Sequence, residues 1–116
     1  MAWLVTFTIT VAVEVAVAYP LLGLAVQPRR PRLVAILLAN VLTHPLVYVL
    51  ASSTTSPLLV IPILELGATV VEALVYQRRL GRVAPFVLLP SIFASCFANA
   101  MSVATSLVFW QLAACA

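Results

Sequence analysis

Three glutamates and one histidine lie inside apolar stretches of this 116-residue sequence, and their side chains are the ones most able to do chemistry there. Glu14, Glu65 and Glu72 are its only acidic residues. A carboxylate inside a bilayer is costly unless it is protonated, paired or hydrated. The acids therefore indicate either a site for protons or a small cation, or a polar network that fixes how helices pack.

The spacing of the polar residues indicates which of them share a helix face. Glu65 and Glu72 are seven residues apart, which is two helical turns, so both side chains leave the same face. Asn40 and His44 are four residues apart, about one helical turn, so their side chains also leave one face. The side chains expected to bind the proton, cation or substrate are Glu14, Asn40, Thr43, His44, Glu65, Glu72 and Asn99.

The sequence leaves any cofactor unknown; a divalent metal ion is one candidate, and its ligands would have to come from several helices. Glu14, His44 and Glu65 are the expected metal ligands, because carboxylate and imidazole together suit such ions. At 1.5 Å per residue, Glu14, Asn40 and Asn99 are expected near mid-membrane. His44 and Glu65 are expected nearer the outer surface, and Glu72 nearer the cytoplasmic one.

The composition excludes most soluble classes of protein. Hydrophobic residues make up 65% of the chain and charged residues 8%, whereas roughly a quarter of a soluble domain is charged. All six basic residues are arginines, in the triplets Arg29, Arg30, Arg32 and Arg78, Arg79, Arg82. Both triplets flank apolar stretches, as expected of cytoplasmic loops, and nothing resembles a nucleic-acid-binding motif. No nucleophile–base pair favours an enzyme, and Cys96 and Cys115 do not have the spacing of a metal or redox motif.

These patterns predict an all-α fold, an integral membrane four-helix bundle forming a single domain. Its helices are expected at about 1–26, 33–51, 57–76 and 90–112, with a short interfacial segment at 83–89. A cleaved signal peptide is disfavoured because the first apolar stretch has no basic start and contains Glu14. The arginines place both termini on the extracytoplasmic side, where Trp3 and Trp110 would lie at the interface. On the fourth helix, small residues at four-residue spacing predict close packing: Ala94, Ala98, Ser102 and Ser106. Ser95 on the same helix is also assigned to packing.

Two resemblances bear on the class of protein. The pattern Asn40-x-x-Thr43-His44-Pro45, then Glu65-x6-Glu72 with Tyr76, then Ala98-Asn99-x-x-Ser102 resembles a group of uncharacterised small bacterial inner-membrane proteins. That resemblance implies a multi-pass inner-membrane protein and no particular activity. Met1-Ala2-Trp3-Leu4 with Glu14-Val15 resembles the first helix of small multidrug resistance transporters, and implies that Glu14 binds a proton or cation.

Two functions remain open at the level of sequence. The first is binding or translocation of protons or a small cation in the bilayer, by a homo-oligomer. The second is a non-catalytic accessory or assembly subunit of a larger membrane complex, in which a partner subunit's helix would satisfy the polar face.

Overall fold

The structure, a computed structural model, describes residues 2–115, and within them the chain forms four α-helices joined by short connections. These are α1 (Ala2–Gly23), α2 (Arg29–Ser52), α3 (Pro57–Leu80) and α4 (Leu88–Cys115). Each is long and apolar enough to cross a membrane, so the described part of the chain is compatible with a multi-pass membrane protein. The predicted start of the first helix, residue 1, lies outside the described residues.

The helices next to the arginines are longer than the sequence indicated. α2 begins at Arg29 rather than 33, because Pro31 stands in its first turn, where a missing backbone amide costs nothing. α3 continues to Leu80 rather than ending at 76, which places Arg78 and Arg79 in its last turn. Positive side chains are favourable there, beside the negative end of the helix dipole.

The remaining helix bounds also differ from the prediction. α1 continues through Pro20 but ends at Gly23 rather than 26. α4 begins at Leu88, so Pro90 lies in its first turn and the predicted interfacial segment 83–89 is partly helical. α4 also extends to Cys115, three residues beyond the predicted end at 112.

The helices pack as a square in chain order. α1 and α3 each pack against α2 and α4, which puts α1 diagonally opposite α3 within the described residues. All six arginines lie at one end of this bundle, in or beside the α1–α2 and α3–α4 connections, and we call it the arginine end. Trp3 and Trp110 lie at the opposite end, the tryptophan end.

On α1 and α4, the residues that face the interior of the bundle recur every four positions. On α1 the buried side chains include Thr10, Glu14, Ala18 and Leu22. On α4, Ala94, Ala98 and Ser102 of the predicted ridge are buried and Ser106 is half-buried. Residues without large side chains let the backbones approach, which brings polar groups on facing helices within hydrogen-bond distance.

Arg32 was expected in an exposed loop, but it is buried and holds the end of α1 to the start of α2. Its Nη1 donates to the carbonyl oxygen of Tyr19 at 3.0 Å, and its guanidinium lies 4.2 Å from the centre of the Tyr19 ring. The guanidinium occupies the space beside Gly23, where a Cβ would lie 2.1 Å from Nη1. A side chain at position 23 would therefore require the Arg32 guanidinium to move away from its present position.

Candidate functional site

The Glu14 carboxylate is fully buried and receives its partners from α2. Asn40 Nδ2 donates to Glu14 Oε2 at 2.7 Å, and His44 Nε2 lies 2.7 Å from Glu14 Oε1. Because Asn40 and His44 are one turn apart on α2, both side chains face α1. Glu14 thus has a hydrogen-bond partner for each carboxylate oxygen.

The Glu72 carboxylate is equally buried and has partners on two helices. Thr43 Oγ1 donates to Glu72 Oε1 at 2.9 Å. From α4, Asn99 Nδ2 donates to Glu72 Oε2, and Ser95 Oγ lies 3.1 Å from the same oxygen. Amide and hydroxyl donors of this kind compensate a carboxylate for the water it loses on burial.

His44 lies between the two acids. Its Nε2 is 2.7 Å from Glu14 Oε1 and 3.7 Å from Glu72 Oε1. One ligand atom from each of Glu14, His44 and Glu72 lies within 4.8 Å of the other two. These three residues, which we call the Glu–His–Glu cluster, are the group of potential metal ligands that the described residues bring together.

The direction of the side chains explains why these residues meet. Side chains on an α-helix lean toward its N-terminus. The N-termini of α1 and α3 are at the tryptophan end, so Glu14 and Glu72 lean that way, whereas His44 on α2 leans toward the arginine end. His44 begins about two turns further from the arginine end than the glutamates, and the opposite inclinations close that gap.

The position of Glu72 corrects the expected layering. By helical rise, the buried acids and amides lie about 12 to 17 Å along their helices from the arginine end; they are Glu14, Asn40, Glu72 and Asn99. Glu72 was expected nearer the cytoplasmic side than the others because α3 was expected to end at 76. The additional turn up to Leu80 brings Glu72 level with Glu14.

Glu65 is not part of the cluster, although the sequence placed it with Glu14 and His44 as a metal ligand. The structure brings Glu72 into that place, and His44 pairs with Glu14 rather than with Glu65. Glu65 leans toward the tryptophan end and is half-buried. Its Oε2 is buried without a hydrogen-bond partner among the described residues.

A cavity of about 210 Å³ opens between the helices at the tryptophan end. His44 and Glu65 contribute its ionisable side chains. Its walls are otherwise aromatic, aliphatic or hydroxyl-bearing, and include Trp3, Phe7, Thr10, Tyr48, Ser106 and Trp110. The imidazole of His44 therefore borders the cavity on one side and contacts both buried carboxylates on the other.

The interior between the cluster and the arginine end is filled by packed side chains. Fully buried residues there include Leu22, Ile36, Tyr76, Leu80 and Val87. They belong to one continuous apolar cluster. The Glu–His–Glu cluster is thus adjacent to a cavity on its tryptophan side and to a packed core on its arginine side.

The cluster has the chemistry of a cation site. With both carboxylates ionised and the imidazole neutral it carries two negative charges, and burying unpaired charge costs several kcal/mol. Two protons or one divalent cation would neutralise it. The Oδ1 atoms of Asn40 and Asn99 are buried without hydrogen-bond partners in the described residues, so amide oxygens lie close to both acids.

Ser95 is the residue that sequence reasoning assigned to packing and that the structure places at a carboxylate. The signal available was its one-turn spacing to Asn99, which puts both on the face of α4 that meets α3. Thr10 was not singled out either, although it lines the cavity and accepts a hydrogen bond from Ser102 at 3.1 Å.

Comparisons of the chain with protein-family models, with curated proteins and with solved structures found no match.

Proposed function

We propose that this chain is a multi-pass inner-membrane protein that binds protons or one divalent cation, in competition, at the Glu–His–Glu cluster. The observation that carries the proposal is the placement of His44 Nε2 against two fully buried carboxylates. The three groups are among the commonest ligands of Zn²⁺ and similar ions in proteins.

Charge balance supports competition between protons and the cation. A metal ion needs the imidazole nitrogen and the carboxylates without their protons. In this cluster the nitrogen next to Glu14 is Nε2, so the proton that joins the two residues would have to leave when the ion binds. Exchange of two protons for one divalent cation leaves the net charge of the buried group unchanged, which avoids the cost of a charged interior.

The cavity supports access from the tryptophan end. His44 lines both the cavity and the cluster, and Glu65 adds a second ionisable group to the cavity wall. By the arginine distribution, the tryptophan end faces the extracytoplasmic side. Binding from that side needs no large rearrangement, whereas release to the cytoplasm would require the packed core around Tyr76 and Leu80 to open.

The accessory-subunit alternative requires a polar face whose hydrogen-bonding groups are satisfied only by a partner's helix. Glu14 and Glu72 instead have hydrogen-bond partners on the chain's own helices. This self-sufficiency favours the binding site over the subunit role.

The test is zinc binding by the full chain in lipid nanodiscs, followed by calorimetry and by a pH indicator in weak buffer. We expect one Zn²⁺ per chain and release of about two protons. Glu14→Gln and Glu72→Gln should each abolish binding, since each removes a ligand charge and keeps the side-chain volume. Glu65→Gln is the matched control and should bind normally.

Two results would overturn the proposal. One is zinc binding and proton release that are unchanged in both Glu14→Gln and Glu72→Gln. The other is the absence of zinc or manganese binding combined with carboxyl infrared bands that do not respond to pH, which would indicate a structural network. A stoichiometric partner that co-purifies in mild detergent would then support the subunit role.

A further inference from the structure

Three arginines line a second cavity, at the arginine end between α2 and α3. Its volume is about 460 Å³, and its lining is Leu38, Val75, Arg78, Arg79 and Arg82. The three guanidinium groups belong to exposed residues, while Leu38 and Val75 are half-buried on the two helices. The cavity therefore combines a threefold positive charge with an apolar floor, and we call it the arginine groove.

The arginines of this groove differ from Arg32 in having no hydrogen-bond or ion-pair partner among the residues that the structure describes. Arg32 is bound to carbonyl oxygens and stacked on a tyrosine ring. Among the described residues, the ion pairs involve only His44, Glu14 and Glu72, so none engages the groove. No acid elsewhere can do so, because the remaining one, Glu65, lies near the other end of α3. Clustered guanidiniums without an acidic partner are available to bind an anion, and their geometry suits phosphate.

A second, apolar groove lies further along the same pair of helices. Its volume is about 260 Å³, and it starts one turn beyond Leu38 and Val75, at Leu42 and Val71. It then runs toward the tryptophan end; its further lining includes Leu46, Leu50, Ile63, Leu64, Gly67 and Ala68. Gly67 widens this groove, because a Cβ built there meets no atom within 4 Å.

We propose that the α2–α3 surface binds one anionic phospholipid, with its phosphate on Arg78, Arg79 and Arg82 and an acyl chain along the apolar groove past Gly67. Guanidinium groups bind phosphate oxygens through paired, charge-assisted hydrogen bonds. Basic pockets between transmembrane helices on the cytoplasmic side suit such headgroups. This lipid site lies on the outside of the bundle and does not depend on the cation site.

The apolar groove decides between a lipid and a free phosphate ion. An inorganic phosphate would use the three arginines alone. A phospholipid would use both grooves at once, since the two follow each other along the same pair of helices. The two ligands are therefore distinguished by whether the apolar groove contributes to binding.

The experiment is native mass spectrometry of the full chain, released from detergent and titrated with phosphatidylglycerol or phosphatidylcholine. We expect one tightly retained phosphatidylglycerol and weaker, unsaturated binding of phosphatidylcholine. Arg78→Gln with Arg79→Gln should weaken phosphatidylglycerol binding about thirtyfold, as expected for two lost charge contacts. Arg29→Gln with Arg30→Gln is the matched control, because it removes the same charge from exposed arginines at the same end and should change binding about twofold or less.

A second pair of variants tests the acyl-chain groove. Gly67→Phe fills it and should weaken phosphatidylglycerol binding, whereas Leu66→Phe adds the same ring at a neighbouring exposed position and should not. Equal losses in the two arginine pairs would overturn the proposal, since they would indicate a general positive surface. Displacement of the lipid by inorganic phosphate, with no effect of Gly67→Phe, would also overturn it in favour of a free-phosphate site.

Discussion

Thr43 and His44 are consecutive residues of α2, yet each makes its shortest carboxylate contact with a different buried acid. Thr43 Oγ1 donates to Glu72 Oε1 at 2.9 Å, while His44 Nε2 lies 2.7 Å from Glu14 Oε1. Neighbouring positions on a helix point about 100° apart, so α2 can face α1 and α3 at the same level. This one helix therefore fixes how far apart the two acids are.

Thr43→Val tests the contribution of α2 to the Glu72 carboxylate. The change preserves the shape of the side chain and removes the donor, so we expect a loss of about 1–3 kcal/mol in the free energy of unfolding. Thr69→Val is the control, because the Thr69 hydroxyl donates to a carbonyl of its own helix, that of Glu65. Equal stability of both variants in a denaturation titration in detergent would argue against this hydrogen bond.

The affinity for Zn²⁺ should fall as the pH falls, because protons and the ion compete for the same three groups. If two protons leave on binding, the dissociation constant can change by up to about 100-fold per pH unit over the range in which both are bound. Calorimetry at several pH values measures the slope. Glu65→Gln should retain it, and a dissociation constant independent of pH in the unmodified protein would contradict the competition.

Filling the cavity should slow entry of the cation without removing a ligand. Ser106→Phe places a ring among the cavity walls, so we expect slower zinc binding in stopped-flow measurements and unchanged stoichiometry. Ala104→Phe introduces the same ring at an exposed position of α4 and serves as the control. Unchanged binding rates in Ser106→Phe would indicate another entry path.

Replacing each of two glycines by alanine should change the free energy of unfolding in opposite directions. Gly23→Ala puts a Cβ into the space held by the Arg32 guanidinium. We expect the free energy of unfolding to fall by about 1–3 kcal/mol. Gly67→Ala meets no atom within 4 Å and lies inside a helix, so we expect a gain of about 0.5–1 kcal/mol. Thermal unfolding in detergent measures both, and a Gly23→Ala variant as stable as the unmodified protein would refute the role assigned to this contact.

Cysteine labelling tests the orientation. Cys115 is exposed at the end of α4, on the tryptophan side, so a membrane-impermeant maleimide should label it in intact spheroplasts. The labelling is done with Cys96→Ser to leave one native thiol. With Cys115 also replaced, Arg30→Cys should react only after permeabilisation, and the reverse pattern would invert the proposed topology.

The helices and the inward placement of the polar residues could be predicted from the sequence, because both depend on local properties. A stretch of twenty apolar residues is helical in a bilayer whatever its neighbours are. Glu14 and Asn40 were expected at one level, and they are in contact. His44 was expected nearer the outer surface, and it reaches Glu14 only because its side chain leans toward the arginine end. Helix ends near Pro31 and Pro90 were misplaced, since proline is tolerated in a first turn and its position alone does not mark the boundary.

The tertiary structure alone decided which acid completes the cluster. Glu65 and Glu72 share a face of α3, so helical spacing alone does not indicate which of the two joins Glu14 and His44. The choice depends on where α3 ends and on the antiparallel direction of α2, which inclines His44 toward Glu72 and away from Glu65. The tertiary structure also distinguishes the arginines. The two arginine triplets look alike in sequence, but Arg32 is buried because it packs against Tyr19 and Gly23, whereas the arginines of the groove are exposed.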